Sequence, residues 1–187
     1  IGRGRGYTAF LYGEMRERFD GFGIDSAEEF YRAVNRVQPG FIRTEADEVQ
    51  YNLHIMLRFD LERALMGGKL DVGDLETAWN ERFLKDFGYP VDRPANGMLQ
   101  DVHWSAGLIG YFPTYTLGNL YAAQFWEKIN EDIPDLSRRI SKGKFGELKA
   151  WLNDKIHKHG RRYRAAELCK RITGKDLSSD PLLRHLT

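Results

Sequence analysis

Apolar residues along this chain recur mostly three or four positions apart, which is the spacing of one face of an α-helix. Ser26 and Glu29 form a capping-box pattern, and the apolar positions that follow as far as Val37 predict a short helix that stops at a proline–glycine pair. The longest run of this kind extends from residue 44 to residue 66 and ends at two glycines. No segment alternates apolar and polar positions long enough to predict a strand.

The same spacing predicts further helices in the rest of the chain. Asp74 is placed to cap a third helix, which we expect to end at Gly88. The remaining predicted helices cover residues 113–134, 135–141, 145–157 and 163–172. With no repeat, low-complexity tract or linker, the sequence predicts an all-α fold with a single helical domain over residues 1–187.

Composition limits the classes of partner. The chain has 187 residues, of which 42% are hydrophobic, so it can bury one sizeable core. Its formal charge of +1 gives no electrostatic reason to expect a nucleic-acid or membrane-surface partner. The single cysteine, Cys169, excludes an internal disulfide, is expected in the core and suits a reducing compartment. Without an apolar run of about 20 residues, we expect a soluble, cytoplasmic protein.

The first six residues alternate glycine and arginine after Ile1 and contain no initiator methionine. This opening suggests that the chain is cut from a longer one. An RNA-binding arginine–glycine segment would need a longer run with aromatic residues, so we do not expect that function.

Polar and aromatic chemistry is concentrated between Gly97 and Tyr115, where an amide, a carboxylate, an imidazole, an indole and two phenols fall within nineteen residues. Such groups are costly to bury without partners, so the cluster is a candidate site. The alternative is structural, with His103 satisfying Asp101 inside a helical core.

Three segments carry a resemblance to a known family. Residues 42–48 read I-R-T-E-A-D-E, residues 97–104 read G-M-L-Q-D-V-H-W, and residues 110–119 read G-Y-F-P-T-Y-T-L-G-N. The first two fit the patterns I/V-R-x-x-A-D and G-x-x-Q-D-x-H-W. In this order they resemble the thermostable carboxypeptidase (carboxypeptidase Taq) family of metallopeptidases, and the resemblance covers essentially the whole chain.

The resemblance implies a helical, zincin-like zinc exopeptidase that releases C-terminal amino acids from peptides and forms a homodimer. Zinc or cobalt would be the cofactor of the full-length enzyme. The metal ligands of the family lie on an H-E-x-x-H helix and on a glutamate of an H-E-S-Q-like motif, and this sequence has neither. We therefore expect the C-terminal lobe of such an enzyme, with no metal ligand of its own and no activity alone.

Catalytic roles are expected for His103, Tyr111 and Tyr115. The negative charge that develops on the oxygen of the scissile carbonyl needs donors aimed at it, and an imidazole and phenols are suitable groups. The missing metal would polarise the same carbonyl in the full-length enzyme.

Substrate-binding roles are expected for Arg43 and for part of the second motif. An exopeptidase must recognise a free carboxylate, and a planar, permanently charged guanidinium suits that task. Asp101 is expected to orient His103 or a backbone turn, as carboxylates often do. Gln100 and Trp104 are candidates for shaping the pocket, although simple packing explains them equally well.

The acidic residues Glu45, Asp47 and Glu48 are expected to be structural, because a helix start favours negative charge. These acidic residues allow an alternative structural role for Arg43, in which it pairs with Glu45 or Asp47 and does not bind substrate.

The other histidines are not expected to form a site. His157 and His159 belong to a basic stretch at a helix end, where positive charge is favourable, and a metal site is the less favoured explanation. We expect His54, on the long helix, to be a satisfied core or groove residue. No metal-binding residue is therefore predicted in this chain.

Two hypotheses of different class follow. In the first, the chain is the C-terminal portion of a metallocarboxypeptidase and is catalytic only together with the ligand-bearing segment. In the second, it is a stand-alone, non-catalytic helical interaction or dimerisation module that keeps the site residues without the metal.

Overall fold

The computed structural model describes residues 1–187, and its regular structure consists of nine α-helices, four short 3₁₀ turns and no strand. The all-α prediction is therefore confirmed. None of the helices is long and apolar enough to cross a membrane. The helices are α1 (Arg5–Arg18), α2 (Ala27–Val34), α3 (Glu48–Met66), α4 (Leu75–Phe87), α5 (Pro113–Asp132), α6 (Leu136–Ile140), α7 (Gly146–Lys155), α8 (Ala165–Thr173) and α9 (Asp180–Leu186).

The chain forms two compact units. Residues 37–119 make one, which we call the central unit, and Ile1–Arg36 with Leu120–His185 make the other, which we call the terminal unit. Whether both belong to one catalytic domain stays a prediction. Every residue proposed from the sequence as part of the site lies in the central unit.

In the central unit, α3 begins later than its hydrophobic pattern predicts. The carboxylate of Asp47 accepts hydrogen bonds from the backbone N–H groups of Val49 and Gln50, at 3.0 and 2.9 Å, and so caps the helix. The preceding residues Arg43–Glu45 form a separate 3₁₀ turn. Arg43 is thereby placed before the helix, and the predicted helix start at residue 44 is wrong because Asp47 is the residue that caps it.

Helices α3 and α4 pack against each other through a core of Leu57, Leu61, Leu75, Trp79 and Phe83. α4 ends at Gly88, as predicted, with a left-handed φ of 83° that glycine adopts without strain. Asp74 immediately precedes α4, but its side chain makes no capping hydrogen bond. The predicted helix is confirmed and its predicted cap is wrong.

In the terminal unit, the Ser26 side chain accepts a hydrogen bond from the Glu29 N–H at 3.1 Å, as the capping-box pattern predicts. α2 ends at Val34, three residues before the predicted end, and Val37 is exposed. No helix is predicted from the sequence at the position of α1. This helix comes so close to α6 that a Cβ at Gly6 would lie 2.5 Å from the Ser137 carbonyl oxygen.

The core of the terminal unit is built from α5, α6 and α7. Its buried residues include Ile129, Leu136 and Trp151, and Cys169 on α8 is fully buried, as predicted. Burial raises the pKa of the Cys169 thiol. His157–His159 form a 3₁₀ turn after α7 and are not part of the helix.

Candidate functional site

The centre of the site is an ion pair between the two sequence motifs. Nη2 of Arg43 lies 2.7 Å from Oδ1 of Asp101, and its Nε lies 3.2 Å from the same oxygen. Nη1 of Arg43 donates to the hydroxyl of Tyr51 at 3.0 Å. Only 5% of Arg43 is exposed. The 3₁₀ turn before α3 and the loop before α5, far apart in sequence, thus meet through these two side chains.

Arg58, which the sequence analysis missed, is the second partner of Asp101. Its Nε and Nη2 atoms each lie 2.7 Å from Oδ2 of Asp101, and the residue is fully buried. Nη1 of Arg58 donates to the carbonyl of His54, one helical turn earlier, at 2.8 Å. Asp101 is therefore shared by two buried guanidinium groups.

The electrostatics of this cluster follow from burial and pairing. Burial alone would raise the pKa of Asp101, but the hydrogen bonds and charges of Arg43 and Arg58 outweigh it and hold that pKa below its usual value. Burial opposes the charge of Arg43, yet Asp101 raises the pKa of Arg43 above its ordinary value. For Arg58, burial prevails and lowers the pKa to about 10, so the side chain stays cationic at neutral pH.

Aromatic rings enclose both guanidinium groups. The guanidinium carbon of Arg43 lies 4.9 Å from the centre of the Tyr115 ring, and that of Arg58 lies 4.7 Å from the centre of the Trp79 ring. Phe112 lies within 6 Å of both, at 5.8 and 5.4 Å. At these distances the ring faces attract the cations, and their planes limit the orientations that each guanidinium can adopt.

The predicted catalytic residues His103, Tyr111 and Tyr115 lie together. Nε2 of His103 is 2.9 Å from the Tyr115 hydroxyl, and the imidazole lies against the ring of Phe112, with centres 4.3 Å apart. The Tyr111 ring lies 5.6 Å from His103 and 5.5 Å from Tyr115. His103 is buried, whereas Tyr111 is 44% exposed. The three side chains form a continuous patch that reaches solvent at Tyr111.

Asp101 does not orient His103. Nδ1 of His103 lies 3.9 Å from Oδ1 of Asp101, which is too long for a hydrogen bond, and this buried nitrogen has no partner. We expected Asp101 to pair with His103, either in a site or in a core. In the structure, Asp101 pairs with Arg43 and Arg58. The alternative pairing of Arg43 with Glu45 or Asp47 is likewise not what the structure shows, since Asp101 is its ion-pair partner.

Gln100 joins two backbone segments. Its Oε1 accepts from the N–H of Arg43 at 2.8 Å, and its Nε2 donates to the carbonyls of Phe41 and Asn96, each at 2.9 Å. Both N–H groups of the amide are therefore used. Gln100 holds the backbone of Arg43 in place, and its role in shaping the pocket stays a prediction.

Trp104 is held by Glu62, which, like Arg58, is not among the residues predicted from the sequence. Oε1 of Glu62, a buried residue on α3, accepts from the indole N–H of Trp104 at 3.1 Å and from the N–H of Gly110 at 2.8 Å. Gly110 has a φ of 77°. Glu62 therefore anchors both ends of the loop that precedes Tyr111.

No group of three or more histidine, cysteine, aspartate or glutamate side chains is placed to hold a metal ion. His54 is fully buried against the ring of Phe87, at 4.4 Å, and neither of its ring nitrogens makes a hydrogen bond of normal geometry. The expected core position is confirmed, and the backbone of Gly40 lies close enough to interact with the ring. Burial, together with the charge of Arg58, lowers the pKa of His54 to about 4.

Comparison with known proteins supports the motif analysis over the whole chain. The family described as Carboxypeptidase Taq (M32) metallopeptidase matches residues 1–187. Thermostable carboxypeptidase 1 of Thermus thermophilus is 45% identical over 186 residues, which is all of this chain and 36% of that protein. The structure of Pyrococcus furiosus carboxypeptidase (apo-Mg) matches with a TM-score of 0.95 and 40% identity, over 100% of this chain and 37% of that one. The M32 carboxypeptidase of Deinococcus radiodurans matches with a TM-score of 0.93 and 40% identity, over 100% of this chain and 38% of that one.

The same comparisons show what share of each relative's length this chain covers. It spans little more than a third of the length of the curated relatives it matches.

Proposed function

Because this chain belongs to the carboxypeptidase Taq (M32) metallopeptidase family, we propose that it supplies the substrate-binding and transition-state-stabilising part of a metallocarboxypeptidase. The substrates are peptides with a free C-terminus. The observation that carries the proposal is the buried cation of Arg43, held by Asp101 beside the His103–Tyr115 pair.

The donors of Arg43 leave room for a substrate carboxylate. A guanidinium has five N–H groups, and the hydrogen bonds to Asp101 and Tyr51 use one on each of its three nitrogens. One N–H therefore remains on Nη1 and one on Nη2. Two guanidinium N–H groups together can bind the two oxygens of a carboxylate.

His103 and Tyr115 are proposed to act on the scissile carbonyl. In the tautomer we propose, Nε2 of His103 carries the proton and donates it to the Tyr115 oxygen, which leaves the phenolic proton available for the oxygen on which negative charge develops. A donor of this kind is typically worth about 10²–10³ in rate. Tyr111, more exposed and next to both, is proposed to cover the reacting group and to exclude water from it.

The side chains of this chain offer no cluster of three or more histidine, cysteine, aspartate or glutamate residues placed to hold a metal ion. We therefore propose that the metal-binding residues belong to a different segment of the enzyme and that the isolated chain is inactive. The family uses the metal to activate the carbonyl, and nothing proposed for the residues above depends on its geometry. The homodimer implied by the resemblance stays a prediction.

A chimera tests the proposal. This chain would replace the matching region of the Thermus thermophilus relative, and hydrolysis of an N-blocked dipeptide would be measured with added zinc or cobalt. We expect activity in the chimera, none in the isolated chain, and a loss of about a hundredfold in kcat/KM on Arg43→Ala. The matched control is Arg93→Ala, an exposed arginine of the same unit.

Two outcomes would contradict the proposal. A folded chimera without activity would mean that this chain does not complete a carboxypeptidase. Metal-dependent hydrolysis by the isolated chain would mean that its own residues form a metal site.

A further inference from the structure

We propose that Arg58 is a positioning residue for substrate binding, which acts through Asp101 to fix the orientation of the Arg43 guanidinium. The inference rests on the proposed function, because it concerns how the carboxylate-binding group is held. Arg58 belongs to neither sequence motif and lies 43 positions before Asp101 in the chain.

The shortest contacts of the two Asp101 oxygens go to different arginines. Oδ2 receives both 2.7 Å contacts from Arg58 and a longer one, 3.3 Å, from Nε of Arg43, and Oδ1 receives the 2.7 Å contact from Arg43. A second arginine on the far side limits the rotation of the carboxylate about its Cβ–Cγ bond. With Arg58 on the other oxygen, the plane of the carboxylate is fixed, and so is the direction in which Arg43 must approach it.

Arg58 is fixed by contacts within and beside its own helix. It lies on α3, its Nη1 donates to the His54 carbonyl on the same helix, and its guanidinium lies over Trp79. Arg43 lies in a short 3₁₀ turn, a local structure with few hydrogen bonds of its own. The carboxylate of Asp101, which both arginines contact, thus makes the orientation of Arg43 depend on that of Arg58.

The second arginine is not needed to neutralise Asp101. Arg43 alone compensates one negative charge, and each further buried cation carries a cost of desolvation. A positioning role explains why a fully buried cation is kept beside a carboxylate that already has a partner. Misplacement of a binding group by even about 1 Å can cost an enzyme about 10² in rate.

The test compares two ligands of the same shape, one ending in a charged carboxylate and the other in a neutral amide. In the chimera described above, the affinities of 3-phenylpropanoate and 3-phenylpropanamide would be measured by competition against the N-blocked dipeptide and by calorimetry. We expect Arg58→Met to weaken 3-phenylpropanoate about tenfold, to leave 3-phenylpropanamide unchanged and to raise KM more than it lowers kcat. Arg63→Met is the matched control, since Arg63 is an exposed arginine on the same helix.

A second variant separates orientation from folding. Arg58→Lys keeps the buried positive charge but offers a single point of contact in place of two. We expect it to fold and to weaken 3-phenylpropanoate by about threefold to fivefold, between the wild type and Arg58→Met. The positions of the far-UV circular dichroism bands and the melting temperature would show that the variant is folded.

The results distinguish this inference from the proposed function. If the wild-type chimera hydrolyses the dipeptide but Arg58→Lys binds both ligands as the wild type does, Arg58 does not position Arg43. If Arg58→Met weakens the carboxylate and the amide equally, its role is structural and the inference is wrong. If the wild type itself neither hydrolyses the dipeptide nor prefers the carboxylate, the proposed function fails and the inference fails with it.

Discussion

Nε2 of His103, in the loop before α5, lies 2.9 Å from the hydroxyl oxygen of Tyr115, in the first turn of that helix. The imidazole is buried against Phe112, so its ring plane is fixed, and the phenol is held at its only polar atom. A hydroxyl held in this way needs no reorganisation when charge develops beside it. This is the condition under which a hydrogen-bond donor contributes most to catalysis.

Removing the Tyr115 hydroxyl tests that role. We expect Tyr115→Phe to lower kcat of the chimera by about 10²-fold and to change KM much less, because the donor acts mainly in the transition state. Steady-state kinetics on the N-blocked dipeptide provide the measurement. Tyr121→Phe, on the same helix but in the terminal unit, should leave kcat unchanged; an equal loss in both variants would exclude a specific role for Tyr115.

Asp101 is expected to be a major contributor to stability. Asp101→Asn leaves two buried guanidinium groups close together without the charge that compensates them, at a cost of about 3 kcal/mol or more in free energy of unfolding. Urea unfolding followed by circular dichroism measures the change. Asp60→Asn removes a partly exposed partner of Arg82 and should cost about 1 kcal/mol or less. Similar costs for the two variants would contradict the buried cluster.

The stability should depend on pH through His54. The pKa of His54 is about 4 in the folded chain and 6.5 in its unfolded reference, so between these values the unfolded chain binds more protons. The contribution is fully present above about pH 6.5 and is lost as the pH falls to about 4, by roughly 3 kcal/mol. The lowered pKa of Asp101 adds a further loss only at lower pH.

Urea unfolding between pH 7 and pH 4 would measure this dependence. The slope should be reduced in His54→Gln and unchanged in His157→Gln, which alters an exposed histidine. A slope that persists in His54→Gln would assign the dependence to other groups.

Glu62 should control the loop between Trp104 and Tyr111. Glu62→Gln keeps an oxygen that can accept from the Trp104 and Gly110 N–H groups, whereas Glu62→Leu keeps none. We expect hydrogen exchange of the Gly110 amide to be about tenfold faster in Glu62→Leu and little changed in Glu62→Gln. Glu76→Leu, at an exposed position of α4, provides the control; protection that survives in Glu62→Leu would show that the loop is held by other contacts.

Much of the fold was predictable because the helices are amphipathic and their ends carry recognisable residues. Ser26 and Gly88 acted as predicted. The errors arose where two residues compete for one boundary, as with Thr44 and Asp47, since only the folded backbone decides which side chain reaches the free N–H groups. α1 begins with glycines and arginines, and its position depends on close packing against Ser137.

The contacts among the candidate site residues were not predictable from the sequence. The structure brings the motif residues Arg43 and His103 together at Tyr115, and their roles stay a prediction. Arg58 and Glu62 could not be found, because each is a polar position on a long helix whose partners lie more than 40 residues away. Nothing local shows that such a side chain points inward. For Asp101, the nearby His103 was the expected partner, and the distant arginines are the actual ones.

The amide of Gln100 has a consequence for protein engineering. Because one side chain bonds to backbone groups at Phe41, Arg43 and Asn96, the two motifs cannot be transplanted separately into another helical scaffold. A graft that carried residues 97–104 alone would bring the amide without the backbone it was shaped to hold. The smallest transferable form of this site therefore consists of separate segments, and any design that borrows it must include both motifs and the two helices, α3 and α4, that lie between them.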